Sequence, residues 1–342
     1  MTNLTQSDPP VVIAELSGNH LGSLERAKAL VRLAADAGST LVKLQHYRPD
    51  TISVRGEAPE LTLSGGTIWD GRTLWDLYQD AMTPWEWTEE LAATAKDAGI
   101  PWFSTPFDET AVDFLEGFDV PLYKIASFEI VDLPLIRHVA STGKPMIIST
   151  GMATIEEIDR AVAAARDGGA NDITLLRTNS AYPASVAEMD LSAISFMRER
   201  WGLPVGLSDH TLGSTSAIVA AALGASVFEK HFTLARADGG PDAPFSAEPH
   251  ELNSYVRDLK DAQASIGEPR FGPSPREEAS VGLRPSLRAV ADIESGERLS
   301  YDNVRSVRPG GGLKPDMISQ ILGRVARNRI PMGSPIVWED ID

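Results

Sequence analysis

The sequence predicts a (β/α)8 TIM-type barrel followed by a small, separate C-terminal module. Three observations lead there. Eight short apolar runs alternate with helix-patterned segments, a glycine closes most of those segments, and a proline-rich stretch then ends the alternation. The first run, residues 11–17, precedes Leu24, Ala27, Val31, Ala34 and Ala37, a stripe at helical spacing. Gly38 follows, then the run 41–45. The later pairs are Gly99 with 101–105, Gly117 with 122–127, Gly143 with 145–150, Gly169 with 173–178, Gly202 with 204–210 and Gly224 with 227–232. Glycine just past a helix supplies the left-handed residue that ends it. Short, unbroken apolar runs suit strands buried on both faces. Ile155, Ile158, Val162 and Ala165 make a second helical stripe. A doubly wound sheet is the competitor, but no G-x-G-x-x-G turn follows the first run.

Two segments interrupt the pattern. Residues 48–83 form an insertion rich in aromatics (Trp69, Trp75 and Tyr78, with Trp85 and Trp87 just beyond). Following a strand, it lies at the catalytic face of a barrel, as a lid or as a staple on the outer helices. Residues 267–285, with prolines at 269, 273, 275 and 285, read as an extended linker. The expected division is therefore a catalytic barrel over 1–266, the linker, and a module over 286–342 built of short strands and turns.

Composition narrows the function. Apolar residues are 42% and charged residues 23% of 342, the balance of a globular chain with a sizeable core. No run of about 18 apolar residues exists, so no membrane span is expected. Residues 1–10 show no basic start followed by an apolar stretch, so no secretory leader is expected. The absence of cysteine excludes disulfides and thiolate chemistry and fits a cytoplasmic protein. A net charge of −17 argues against nucleic acid and anionic membranes as partners. The chain from Leu283 onward has nine basic and eight acidic residues, leaving 22 basic, 40 acidic and a net −18 in the remainder. An anionic substrate would need locally concentrated positive charge.

Polar residues at the C-terminal ends of barrel strands are the candidates for chemistry. In chain order they are Glu15 with Asn19 and His20; Lys43 and Gln45; Ser104 and Thr105; Lys124, Ser127 and Glu129; Ser149 and Thr150; Ser180 and Tyr182; Ser208 and His210; Glu229 and His231. Buried lysines are rare. Two among hydroxyls point to an anion such as phosphate or carboxylate; the alternative is lysines paired with barrel carboxylates. His210 and His231 end adjacent strands, so their imidazoles can converge on a divalent transition metal or serve as structural or acid–base groups. His138 and His250 fall in helical stretches and read as surface residues.

Taken together, these residues carry a family resemblance. Ala14-Glu15 with Asn19-His20, Val42-Lys-Leu-Gln45, Ser104-Thr-Pro-Phe107, Tyr123-Lys-Ile-Ala-Ser127 and Ser149-Thr-Gly-Met152 resemble, in order, blocks of the phosphoenolpyruvate-dependent sialic acid (nonulosonate) synthase family. So do Ala181-Tyr-Pro183, Gly206-Leu-Ser-Asp-His-Thr211, Glu229-Lys-His-Phe232 and Gly240-Pro-Asp242. The C-terminal module resembles the antifreeze-like (SAF) domain, marked by Arg308-Pro-Gly310. Trp69-Asp-Gly-Arg-Thr-Leu-Trp75 and Thr83-Pro-Trp-Glu-Trp87 resemble the pseudaminic acid branch. Two positions depart from the common pattern: Asn179-Ser180 in place of Thr-Asn, and Arg284-Pro-Ser in place of Arg-Arg-Ser.

The resemblance implies condensation of phosphoenolpyruvate with an N-acetylated amino sugar, for this branch 2,4-diacetamido-2,4,6-trideoxy-L-altrose, releasing phosphate. It implies Glu15 as the catalytic group acting on water. Phosphoenolpyruvate would be held by Lys43, Thr105, Lys124, Ser127, Ser149, Ser180 and Ser208. The sugar would be held by Gln45, Glu129, Tyr182, Asp242 and Arg308. A divalent ion, manganese before magnesium or cobalt, would sit on His210 and His231, and Arg308 would reach in from the other subunit of a domain-swapped homodimer. The legionaminic or sialic acid precursor is the alternative sugar. A carbohydrate-binding protein without catalysis is the alternative class.

Overall fold

The computed structural model describes residues 9–342; the N-terminal segment read as carrying no secretory leader lies, through residue 8, outside the described residues. Eight parallel strands close a barrel in chain order: β1 (Val11–Glu15), β2 (Leu41–His46), β3 (Trp102–Pro106), β4 (Tyr123–Ile125), β5 (Met146–Ser149), β6 (Ile173–Thr178), β7 (Val205–Asp209) and β8 (Val227–His231). Pairing of β1 with β8, from Val11 beside Val227 to Glu15 beside His231, completes the ring. Closure leaves no free sheet edge. The (β/α)8 expectation holds, and most strands are shorter than their apolar runs because the flanking residues turn into the mouth loops.

Helix Leu24–Asp36 begins where the Ser23 side chain accepts from the Arg26 N–H, satisfying a donor the first turn leaves open. It buries Ala27, Leu30, Val31 and Ala34 against the barrel wall. Helix Ile155–Asp167 has a reciprocal cap between Thr154 and Glu157 and buries Ile158, Ala161, Val162 and Ala165. Ile155, expected on that stripe, is 40% exposed, because the first helical residue projects beyond the buried face. Gly117 also differs from expectation. Its φ is −66°, and Asp119, at φ 49°, makes the left-handed turn into β4. Asp can take that region where a local hydrogen bond supports it.

The chain divides into two compact units, Met1–Gly267 and Glu268–Asp342. In the second, β9 (Ser286–Ala289) and β10 (Val304–Val307) pair antiparallel over a core that includes Leu287, Ile293, Leu299, Val304, Ile321 and Ile336. Its first residues are not wholly extended as expected. The proline-free stretch forms a helical turn, Glu278–Val281, after Ser274 N–H bonds the Glu277 carboxylate at 2.8 Å. Among the described residues no helix is long and apolar enough to cross a membrane.

Candidate active site

Parallel register decides which side chains meet. Glu15 stands level with Lys43 on one side and His231 on the other, Gln45 with Thr105, and Ser208 with both Thr178 and Glu229. Alternation along each strand makes level residues point the same way, so these side chains fill the C-terminal end of the lumen. All of them except Glu15 and Thr105 border a cavity of about 340 Å³. Eleven of the fifteen residues to which the resemblance gives a role line it: Lys43, Gln45, Lys124, Ser127, Glu129, Ser149, Tyr182, Ser208, His210, His231 and Asp242.

Four others stand elsewhere. Glu15 does not line the cavity; it is fully buried, with Oε2 2.5 Å from Lys43 Nζ. Thr105 accepts from Lys43 Nζ at 3.2 Å. Ser180 lies behind Ser127, whose Oγ accepts its hydroxyl at 2.9 Å. Gly151 permits that arrangement: at φ 46°, a Cβ there would fall 2.4 Å from Ser127 Cβ and 2.8 Å from Ser180 Oγ. Arg308 belongs to the second unit, exposed on a loop that Arg288 grips by donating to the carbonyls of Pro309 (2.9 Å) and Gly310 (2.8 Å).

Sequence reasoning names Glu229 as a strand-end residue and gives it no role, yet it is the hub of the lumen. Its carboxylate lies 3.3 Å from Lys43 Nζ and 3.6 Å from Lys124 Nζ, and accepts from Ser208 Oγ at 3.1 Å. Burial opposes its ionisation, but Lys124 and Lys43 outweigh burial and hold its pKa down at about 2. Burial draws Lys43 down to about 7 and lowers Lys124 as well, against the pull of Glu229. Both readings of the lysines therefore meet here: they pair with carboxylates, and they face a cavity. Ser149 Oγ, buried at the same level, has no hydrogen-bond partner among the described residues. It is available to a ligand oxygen.

Around this charged floor stand the groups suited to a polyhydroxylated ligand. Asp242 is half-buried, and desolvation of its carboxylate raises its pKa; it accepts from Ser17 Oγ and from Gly18 N–H at 3.2 Å. Ser17 itself holds a left-handed φ of 50°, a costly conformation for serine. Burial pushes Glu129 up to about 7. Tyr182 packs on His210 with ring centroids 4.4 Å apart.

The two histidines fit a metal by their chemistry. His210 Nδ1 is 2.7 Å from the Asn179 carbonyl, which fixes the proton there and leaves Nε2 as a lone-pair donor. The ring centroids of His210 and His231 are 5.2 Å apart, and His231 Nδ1 is buried without a partner among the described residues. Burial lowers His210 to about 4 and His231 further, so both are neutral at physiological pH, the state that binds metal. No cluster of three or more His, Cys, Asp or Glu ligands occurs among the described residues, so two imidazoles are all the site offers by itself.

Other strand-end candidates face outward. Ser104 meets His46 Nδ1 at 2.7 Å, while His46 Nε2 meets Thr88 Oγ1 at 2.9 Å. Asn19 donates to the Phe232 carbonyl at 2.9 Å, Thr150 donates to the Leu176 carbonyl, and His20 packs edge-on against Trp87. The aromatics of the insertion and those just beyond it have different neighbours. Trp69 and Tyr78 border the cavity, with Trp69 Nε1 donating to the Pro241 carbonyl at 2.7 Å, whereas Trp85 stacks on Phe114 of an outer helix at 4.6 Å. Ile52, Leu63, Leu74, Leu77 and Ala81 of the insertion also border the cavity. His138 and His250 are surface residues, as expected.

Comparison with known proteins gives consistent results. Residues 30–270 match the NeuB family and residues 284–342 the SAF domain. The chain is 39% identical over 336 residues to the pseudaminic acid synthase of Helicobacter pylori, covering 98% of each chain. It is 34% identical over 336 residues to the N,N′-diacetyllegionaminic acid synthase of Legionella pneumophila, covering 97% of this chain and 94% of that one. The crystal structure of the N-acetylneuraminic acid synthetase of Leptospira borgpetersenii serovar Hardjo-bovis, in complex with citrate, superposes with a TM-score of 0.70 at 30% identity, covering 80% of this chain and 90% of that one.

Proposed function

The chain belongs to the NeuB family, and on that premise we propose that it condenses phosphoenolpyruvate with 2,4-diacetamido-2,4,6-trideoxy-L-altrose and water, giving pseudaminic acid and phosphate. The observation that carries the proposal is the lumen floor. Two buried lysines and a set of hydroxyls converge on the cavity, with the buried carboxyl group of Glu15 2.5 Å from Lys43 Nζ and further polar groups around the rim. The likeness to the Helicobacter pylori enzyme supports this sugar over the legionaminic and sialic acid precursors.

In this reading Lys43, Lys124, Thr105, Ser127, Ser149, Ser180 and Ser208 hold the phosphate and carboxylate of phosphoenolpyruvate through charge-assisted bonds. Gln45, Glu129, Tyr182 and Asp242 hold the open-chain sugar. A divalent ion on His210 and His231 (manganese before magnesium or cobalt) would supply Lewis-acid polarisation of the aldehyde oxygen. Carbon 3 of phosphoenolpyruvate forms the new bond to the aldehyde carbon as the carbonyl π bond opens onto its oxygen, which takes up a proton to become a hydroxyl, and carbon 2 becomes cationic. Glu15, its carboxyl group held against Lys43 Nζ, orients a water and takes its proton as the water oxygen bonds to carbon 2. The resulting tetrahedral centre then loses phosphate to leave the 2-keto acid.

The second unit completes the proposal. Arg308, on a loop pre-shaped by Arg288, would cap the sugar from the partner subunit of a domain-swapped homodimer, and its planar cation suits carbonyls and hydroxyls. The absence of cysteine supports a cytoplasmic location. Phosphate release from phosphoenolpyruvate, measured against a panel of mono- and diacetamido hexoses, tests the reading. Release with the trideoxy-altrose sugar above all others is expected; release with none would overturn condensation, and release with N-acetylmannosamine alone would move the chain to another branch.

A further inference from the structure

The cavity has two chemically opposite sides. Its floor, from the strands, carries Lys43, Lys124, Ser149, Ser208 and Glu229, whereas every residue that the insertion over 48–83 contributes is uncharged. Five of those are aliphatic: Ile52, Leu63, Leu74, Leu77 and Ala81. The other two bring the wall's only side-chain polar atoms, Trp69 Nε1 and the Tyr78 hydroxyl, and Trp69 Nε1 is already committed to the Pro241 carbonyl. The backbone is committed too, since Leu63 N–H donates to the Arg72 carbonyl at 2.9 Å and its carbonyl accepts from Gly71 N–H at 2.8 Å. A hydroxyl brought against this wall would shed water and find little to replace it.

The chemistry of the substrate sets which end meets the wall. The anion belongs with the lysines of the floor, and the aldehyde carbon, C1 of an open-chain hexose, must approach it. C6 is then the end directed away from the floor. We infer that the aliphatic wall of the insertion is the specificity element of the site, selecting sugars that carry a methyl group at C6 over those that carry a hydroxymethyl group there. The inference rests on the condensation proposed above and assigns its sugar preference to Leu63 and Leu74 in particular, both half-buried and both uninvolved in holding the barrel together.

The experiment compares two sugars that differ only at C6: 2,4-diacetamido-2,4,6-trideoxy-L-altrose and its 6-hydroxy counterpart. Phosphate release gives kcat/KM for each, and calorimetry gives the affinity of each in the absence of turnover. An apolar pocket discriminates against an added hydroxyl by about tenfold to a hundredfold, and a ratio in that range favouring the 6-deoxy sugar is expected. Leu63→Asn and Leu74→Asn, each checked for folding by circular dichroism, should shrink the ratio severalfold by giving the hydroxyl a partner. Equal kcat/KM for the two sugars in the unaltered protein would overturn the inference, and so would an unchanged ratio in both folded variants. No phosphate from any sugar would instead overturn the condensation, and the affinity ratio from calorimetry would then decide the role of the wall on its own.

Discussion

Replacing Glu229 by Gln should expose how the lumen balances its charge. The substitution keeps shape and an acceptor for Ser208 Oγ but removes the carboxylate 3.3 Å from Lys43 and 3.6 Å from Lys124. Breaking a buried ion pair by removing one partner costs about 3–5 kcal/mol, because a charge is left uncompensated. Lys43 keeps Glu15 at 2.5 Å, so the loss falls mainly on Lys124 and the lower end, about 3 kcal/mol, is expected. For a unit of this size, that corresponds to a fall in Tm of about 4–5 °C. The deficit depends on pH with a definite sign. Without Glu229 the pKa of Lys124 drops further below its ordinary 10.5, so the unfolded chain binds more protons than the folded one. Stability of the variant then rises with pH, and its deficit against the parent is larger at pH 6 than at pH 9. Inorganic phosphate or phosphoenolpyruvate supplies the missing negative charge, so either should raise the Tm of the variant more than that of the parent. Thermal unfolding followed by circular dichroism at both pH values, with and without the anion, makes the measurement. A variant with the parent's Tm at pH 6, indifferent to pH and to phosphate, would refute Glu229 as the counter-charge.

Glu15→Gln should lower turnover by about 10²-fold or more while leaving phosphoenolpyruvate affinity nearly unchanged, read from kcat and calorimetry; a change confined to KM would make Glu15 a binding group. Chelation should abolish turnover and manganese should restore it, since two imidazoles hold an ion weakly; full activity of metal-free protein would remove the ion from the reaction. Glu129, raised from 4.5 to about 7 by burial, favours the folded state only while protonated, so stability is lost as pH climbs through that window. Between pH 4.5 and 7 the parent should lose on the order of 2–3 kcal/mol relative to Glu129→Gln, whose side chain never ionises; parallel stability curves would contradict the shift. Mixing Arg308→Ala with Glu15→Gln protein should regenerate activity if the second unit is exchanged between subunits, and no recovery after verified exchange would reject that arrangement.

The elements that could be read from the chain are those whose signal is local. Apolar runs behind glycines mark the strands, and helical stripes such as Ala27, Val31 and Ala34 mark the outer layer. Lys43 and Lys124 stand out because lysine seldom belongs in a strand buried on both faces. Glu229 carries no such mark. Its importance comes from β2 and β4 sending lysines across the lumen to β8, a meeting that exists only once the ring is closed. The choice between Ser104 and Thr105 was equally hidden, since alternation says that one faces inward and only register with Gln45 says which. Ser17 belongs to the run 11–17, but its part in the site, donating to Asp242, depends on a contact with a residue 225 positions away that no local pattern shows. The left-handed residue before β4 was misassigned to Gly117 because glycine is the default for that conformation, and Asp119 adopts it here.

The lumen floor and the aliphatic wall are encoded on different stretches of chain, and that separates how each can change in descent. A substitution among Glu15, Lys43, Lys124 or Glu229 disturbs partners on other strands at once, so the floor is free to vary only in concert. The insertion spans the end of β2 to helix Thr88–Asp97, is bridged within itself from Thr62 to Thr73 and is tied to the loop after β8 by Trp69 Nε1 and the Pro241 carbonyl, and it contributes no strand to the barrel. If the wall sets the sugar as inferred above, lineages built on this plan would trade one sugar for another through a few dozen loop residues while the strand-borne floor is inherited intact. A graft of residues 48–83 between two such proteins is the corresponding move for an engineer.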